Sequence, residues 1–152
     1  MKTAITSFAQ VAAMRGTQIQ SDWLTVTQDD IEQFADVTRD RQWIHVDRVR
    51  AAAESPYGTT VAHGFFTLSL LPTLISQSLT FGFAMVLNYG FDRIRFIGPV
   101  PSGSRIRGIF ALEDVQPAGE EAATLTWHAE VEVEGADRPA LAATWLQRAY
   151  FA

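Results

Sequence analysis

The sequence predicts an α+β fold, an antiparallel sheet wrapped around a long central apolar helix, in one domain spanning residues 1–152. Two observations carry this. An apolar stretch opens at Gly64 and runs to about Ser78, hydrophobic on nearly every face, so other structure must cover it. Four long segments of strand character follow: Met85 to Phe96, Arg105 to Asp114, Ala123 to Glu134 and Leu141 to Phe151. Val131-Glu132-Val133-Glu134 alternates apolar and polar, as a half-buried strand does. The breaks at Gly98 to Gly103, Pro117 to Gly119 and Gly135 to Pro139 carry turn chemistry. Short turns between the last three strands favour a meander.

The first third reads as short elements. Ser7 to Met14 forms a short helix ending near Gly16, and Trp23 to Val26 forms a strand. Thr27, with Asp30 three residues on, predicts a capped helix start. Ile31, Phe34 and Ala35 then follow helical spacing, and the helix ends near Val37-Thr38, delivering the chain to Asp40. Asp47 predicts the cap of a second short helix, Arg48 to Glu54, where three alanines favour helix. Ser55-Pro56-Tyr57-Gly58 is a loop. Pro72, inside the apolar stretch, predicts a kink or an irregular turn.

Composition narrows the function. A chain of 152 residues can bury a sizeable core without disulfide or metal staples. The net charge of −5 argues against nucleic-acid or anionic-membrane binding. The absence of cysteine removes disulfides, thiolate nucleophiles and cysteine-ligated metals, and suits a cytoplasmic location. The N-terminus lacks the continuous apolar core of a signal peptide. Phe65 to Phe83 carries too many polar residues for a membrane span.

The chemistry concentrates in two segments. Asp40-Arg41-Gln42-Trp43-Ile44-His45-Val46-Asp47 sets a carboxylate and an imidazole a short distance apart. Val61-Ala62-His63-Gly64-Phe65-Phe66 supplies a glycine opening the apolar stretch, where helix N-terminal amides are free to donate. Such parts suit water chemistry on an activated carbonyl compound.

These residues resemble the MaoC-like dehydratases, the hot-dog group that includes (R)-specific enoyl-CoA hydratases. The family pattern is approximately Gly-Asp-x-Asn-Pro-apolar-His-x-Asp, followed by Ala-His-Gly and an apolar helix. Asp40, Ile44, His45 and Asp47 fit the first motif, and Ala62-His63-Gly64 supplies the second. The likeness covers about Val26 to the end of the chain. Arg39, Gln42 and Trp43 depart from the pattern's glycine, asparagine and proline. The wording Gln-Trp-Ile-His, with Asn88-Tyr89-Gly90 on the next strand, is more similar to the subgroup of nodulation protein N.

The resemblance implies that Asp40 and His45 hold one water and add its parts to one face of a trans-2-enoyl-CoA, giving an (R)-3-hydroxyacyl product. It implies that the Gly64 amide receives the developing oxyanion, that the acyl-CoA thioester is the substrate partner, and that no separate cofactor is needed. A sheet with open edges is covered by pairing between two subunits, so a homodimer is expected.

Other residues keep two readings. Gln42 either orients Asp40 by a hydrogen bond or sits at the pocket mouth. His63 caps or braces the loop before the apolar helix. Asn88 and Tyr89 face the acyl tunnel or are ordinary strand residues. His128 lies among strand residues and is expected to be exposed. The three histidines show no ligand spacing, so no metal site is expected. Arg93, Arg95, Arg105 and Arg107 are candidates for CoA's phosphates by charge alone. An acyl-CoA thioesterase on the same scaffold would want a carboxylate on the apolar helix, and Phe65 to Leu79 has none. A non-catalytic acyl-thioester binding protein is the third reading.

Overall fold

The structure is a computed structural model describing residues 2–151. Its chain order is β1 (Thr3–Ile5), α1 (Phe8–Ala13), β2 (Gln18–Gln20), β3 (Leu24–Thr25), α2 (Gln28–Thr38), α3 (Trp43–Val46) and α4 (Arg48–Glu54). Then come α5 (Gly64–Ser69), α6 (Leu71–Ser78), β4 (Leu79–Phe81), β5 (Met85–Phe96), β6 (Arg105–Pro117), β7 (Ala122–Val133) and β8 (Leu141–Tyr150).

The main sheet runs β2-β6-β7-β8-β5, with β3 also paired to β6. Its pairs are all antiparallel, and β6, β7 and β8 form the meander that the short turns predict. Along β7 and β8, buried residues alternate with half-buried ones. The buried set includes Leu125, Trp127, Val131, Leu141 and Trp145, and it packs with Leu71, Leu74 and Ile75 of α6. The sheet therefore encloses the helical segment on one face. A separate parallel pair, β1 with β4, lies outside this sheet.

The central helix is interrupted. Helix α5 stops at Leu70 and α6 begins at Leu71, with Pro72 in its first turn. Proline lacks the N–H that an unbroken helix would need there, and it is well accommodated near a helix start. The segment is also less enclosed than its apolarity predicts. Phe65 is 68% exposed, while Thr67, Leu71, Leu74 and Ile75 are buried.

The predicted caps form. Thr27 and Asp30 make a reciprocal capping box, and Asp47 accepts the Arg50 N–H at 2.9 Å. Ser7 caps α1, and Gly16 takes the left-handed conformation that ends its turn. Helix α2 ends at Arg39, whose φ of 67° is left-handed. That conformation favours glycine, the residue that the family pattern has here. Arg39→Gly is expected to raise stability by about 1 kcal/mol, read as a higher thermal midpoint.

Candidate active site

Three short elements bring the site together. The turn after α2 carries Asp40, α3 carries His45, and the segment Val61–His63 leads into α5. That segment is held in place from two sides: Val61 N donates to the Ile44 carbonyl at 3.0 Å, and Ala62 N to the Val100 carbonyl at 2.8 Å.

His45 is buried, and its Nδ1 lies 2.6 Å from the Val61 carbonyl. A carbonyl only accepts, so Nδ1 carries the hydrogen and Nε2 of the neutral ring is bare. Burial holds the imidazole below the ordinary histidine value. The Val61 hydrogen bond opposes this, the His63 ring adds to the depression, and Asp40 pulls upward. Neutral His45 is therefore an available base. Asp40 is solvent-facing, its side chain 53% exposed.

Asp40, His45 and His63 each place one oxygen or ring nitrogen within 4.8 Å of the others. A water bound to two partners at ~2.8 Å with a tetrahedral angle sets them about 4.6 Å apart, so one water fits between carboxylate and imidazole. The two histidines that the spacing left apart thus meet in space. The cluster suits a shared water better than a metal. The His45 and His63 rings stack at 3.7 Å with 24° between planes, so their in-plane lone pairs run alongside rather than converge.

Gly64 is the first residue of α5, where its N–H precedes the helical hydrogen-bond ladder. A Cβ at Gly64 would come 2.8 Å from the Phe96 ring, so any larger residue there must displace that ring. His63 occupies the cap position of α5 but makes no side-chain cap hydrogen bond. Its Nε2 instead donates to the Asp40 backbone carbonyl at 2.8 Å, a brace and not a cap. Gln42 is exposed and makes no side-chain hydrogen bond to Asp40 among the described residues.

Asn88 pairs across the ladder with buried Gln147 and so shares its inward face. It lines two adjoining clefts, of about 470 and 230 Å³, which also share Pro72. Neither cleft touches Asp40 or His45. The smaller one starts at Phe65, beside Gly64, and the larger continues past Ile75 to Phe81. Tyr89 is 60% exposed and lies under the Arg148 guanidinium. His128 is half-buried rather than fully exposed and contacts Glu130. Arg105 and Arg107 pair with Glu134 and Glu132, so they are not free cations; Arg93 and Arg95 line a separate cleft of about 380 Å³.

Two polar residues complete the support, and the sequence offered no sign of them. Buried Gln28, at the start of α2, donates through Nε2 to the His45 carbonyl at 2.8 Å. Its Oε1 accepts from the buried Thr60 hydroxyl. A glutamine in a first helical turn reads as solvent-facing, and only the tertiary contact reveals otherwise.

Comparison with known proteins agrees with this architecture. The model of the family described as "MaoC like domain" matches residues 10–133. A protein named 3-hydroxyacyl-thioester dehydratase Z from Mycobacterium tuberculosis is 48% identical over 144 residues, covering 93% of this chain and 95% of that protein. Nodulation protein N from Rhizobium leguminosarum bv. viciae is 46% identical over 149 residues, covering 92% and 89%. The solved monoamine oxidase regulatory protein from Archaeoglobus fulgius superposes with a TM-score of 0.81 at 23% identity, covering 100% of this chain and 99% of that one. The (R)-hydratase from A. caviae involved in PHA biosynthesis superposes with a TM-score of 0.68 at 18% identity, covering 88% and 94%. At these identities the structural likeness is one of fold, the hot-dog fold.

Proposed function

Because the chain belongs to the MaoC-like dehydratase family, and is a hydro-lyase by class, we propose that it hydrates trans-2-enoyl-CoA to (R)-3-hydroxyacyl-CoA. The observation that carries this reading is that an Asp40 carboxylate oxygen and a His45 ring nitrogen lie within 4.8 Å of each other, close enough to share one water. The Asp40 carboxylate accepts one hydrogen of the water and orients it. The bare Nε2 of His45 accepts the other. As the water oxygen bonds to the β-carbon, its proton passes to Nε2 and the thioester oxygen gains charge, which the Gly64 N–H receives. The imidazolium then returns the proton to the α-carbon. Both parts of the water arrive from one side, and the reverse sequence is dehydration. Nothing is oxidised or reduced, so the reading needs no cofactor beyond the CoA of the substrate.

The acyl chain is assigned to the groove that runs from Phe65 past Asn88. The working unit is assigned as a homodimer in the cytoplasm. Strand β5 ends the sheet with an open edge and exposes Met85, Leu87 and Tyr89, which a second copy would cover. Among the described residues no helix is long and apolar enough to cross a membrane.

The test is the loss of enoyl-thioester absorbance with crotonyl-CoA and longer trans-2-enoyl-CoAs, with chiral analysis of the product. Rapid loss and an (R)-product are expected. Release of free CoA from saturated acyl-CoA would instead favour a thioesterase, and tight binding without turnover a binding protein. The mechanism requires neutral His45. Accordingly kcat/KM is expected to hold level at neutral pH and to fall on acidification, with a midpoint below 6.5. A midpoint above 6.5 would contradict the base role given to His45.

A further inference from the structure

The His63 ring has no part in the reaction as drawn, yet it lies against the residues of two groups that do and directly precedes the third in the chain. It is 2% exposed and precedes Gly64 directly. Its Nε2 donates to the Asp40 carbonyl at 2.8 Å, its face lies on His45 at 3.7 Å, and Phe34 packs against it at 5.0 Å. Its Nδ1 is buried and has no hydrogen-bond partner among the described residues. An unpartnered buried ring nitrogen is unfavourable, and a phenylalanine would avoid it. Packing alone therefore does not account for histidine at this position.

We propose that His63 is a positioning residue whose single ring fixes the Asp40 turn, the plane of His45 and the Gly64 N–H in mutual register. The proposal rests on the hydratase reading above. Its force comes from geometry, since a misplacement of about 1 Å in a reacting array costs ~10²-fold in rate. The titratable groups facing the His45 ring are His63 from the α5 side and Asp40 from the turn; α2 presents only the neutral amide of Gln28 to the His45 backbone.

Two variants and one measurement on the unaltered protein test this. His63→Phe keeps a ring against His45 and removes the tether to Asp40. Its kcat is expected to fall ~10²-fold, with KM changed by no more than about twofold. His63→Gln keeps an N–H donor and is expected to recover part of the loss. In both, the acid limb of kcat/KM is expected to move to higher pH, because the neighbouring imidazole that disfavours a proton on His45 is gone. A folded His63→Phe with wild-type kcat and an unmoved acid limb overturns the proposal, as does a loss confined to KM. Should either variant fail to fold, long-range ¹H–¹⁵N spectra of the wild-type imidazoles still decide. Opposite tautomers are expected, with hydrogen on Nδ1 of His45 and on Nε2 of His63; hydrogen on Nδ1 of His63 removes the tether and the proposal with it. If the wild type hydrates no enoyl thioester, the hydratase reading fails by itself, while the tautomer result still reports on the tether.

Discussion

Asp40→Asn and His45→Gln are each expected to lower kcat for enoyl-thioester hydration by roughly 10²–10⁴-fold with the fold intact. Asp40 is exposed, so its loss removes no buried contact. Glutamine at His45 can still donate to the Val61 carbonyl, which accepts from Nδ1 in the parent. In the mechanism proposed above, Asp40→Asn loses the carboxylate charge that orients the water. His45→Gln loses the ring nitrogen that takes up its proton, since an amide oxygen accepts a hydrogen bond but is not a base. Since the two side chains act on the same water, the double variant is expected to be about as slow as the slower single one, not the product of both losses. Steady-state kinetics beside near-ultraviolet circular dichroism would check this. A folded single variant within about tenfold of the parent would remove that residue from the mechanism.

Gly108→Ala is expected to destabilise the fold by about 1–3 kcal/mol without touching the site. A Cβ at Gly108 would lie 2.4 Å from the Phe110 ring and 3.1 Å from Leu74 of α6. Phe110 is 1% exposed and packs on Trp145, so it has nowhere to go. The thermal midpoint should fall by roughly 2–4 °C per kcal/mol for a chain of this size. Gly64→Ala makes the contrast. There the obstructing ring is Phe96, 48% exposed and free to swing outward. Its expected signature is a loss of about 10²-fold in kcat with little change in melting. Melting curves and kinetics on both variants would separate the two positions; a Gly64→Ala protein that melts early at full activity would contradict the oxyanion assignment.

Most of what was legible in the sequence was local. The Thr27–Asp30 box, the Asp47 cap and the limits of β5 each follow from residues within a few positions. The interruption near Pro72 was legible for the same reason. Strands β1, β2 and β4 were not, because three residues hold too little periodicity to separate strand from coil. Their pairing comes from distant partners, as when β1 aligns with β4 at Thr3 and Leu79. At the candidate site, Asp40, His45 and Gly64 were singled out through spacing and motif. The stacking of His63 on His45 and the reach of Gln28 to Thr60 were invisible, since each joins residues 17 or more apart through side-chain direction alone.

Strand β5 carries one more consequence. It bonds to β8 along one side only, with register shifts at Asn88/Gly90 and Phe91/Arg93. Alternate amides on its other side therefore face solvent in a lone chain, and their hydrogens should exchange with deuterium within the experimental dead time. If a second copy seals that edge, the same amides become slow, and their exchange rate becomes a function of protein concentration. Dilution would then act as a dial on the strand that also walls the cleft proposed for the acyl chain, so occupancy of that cleft and self-association would be thermodynamically linked.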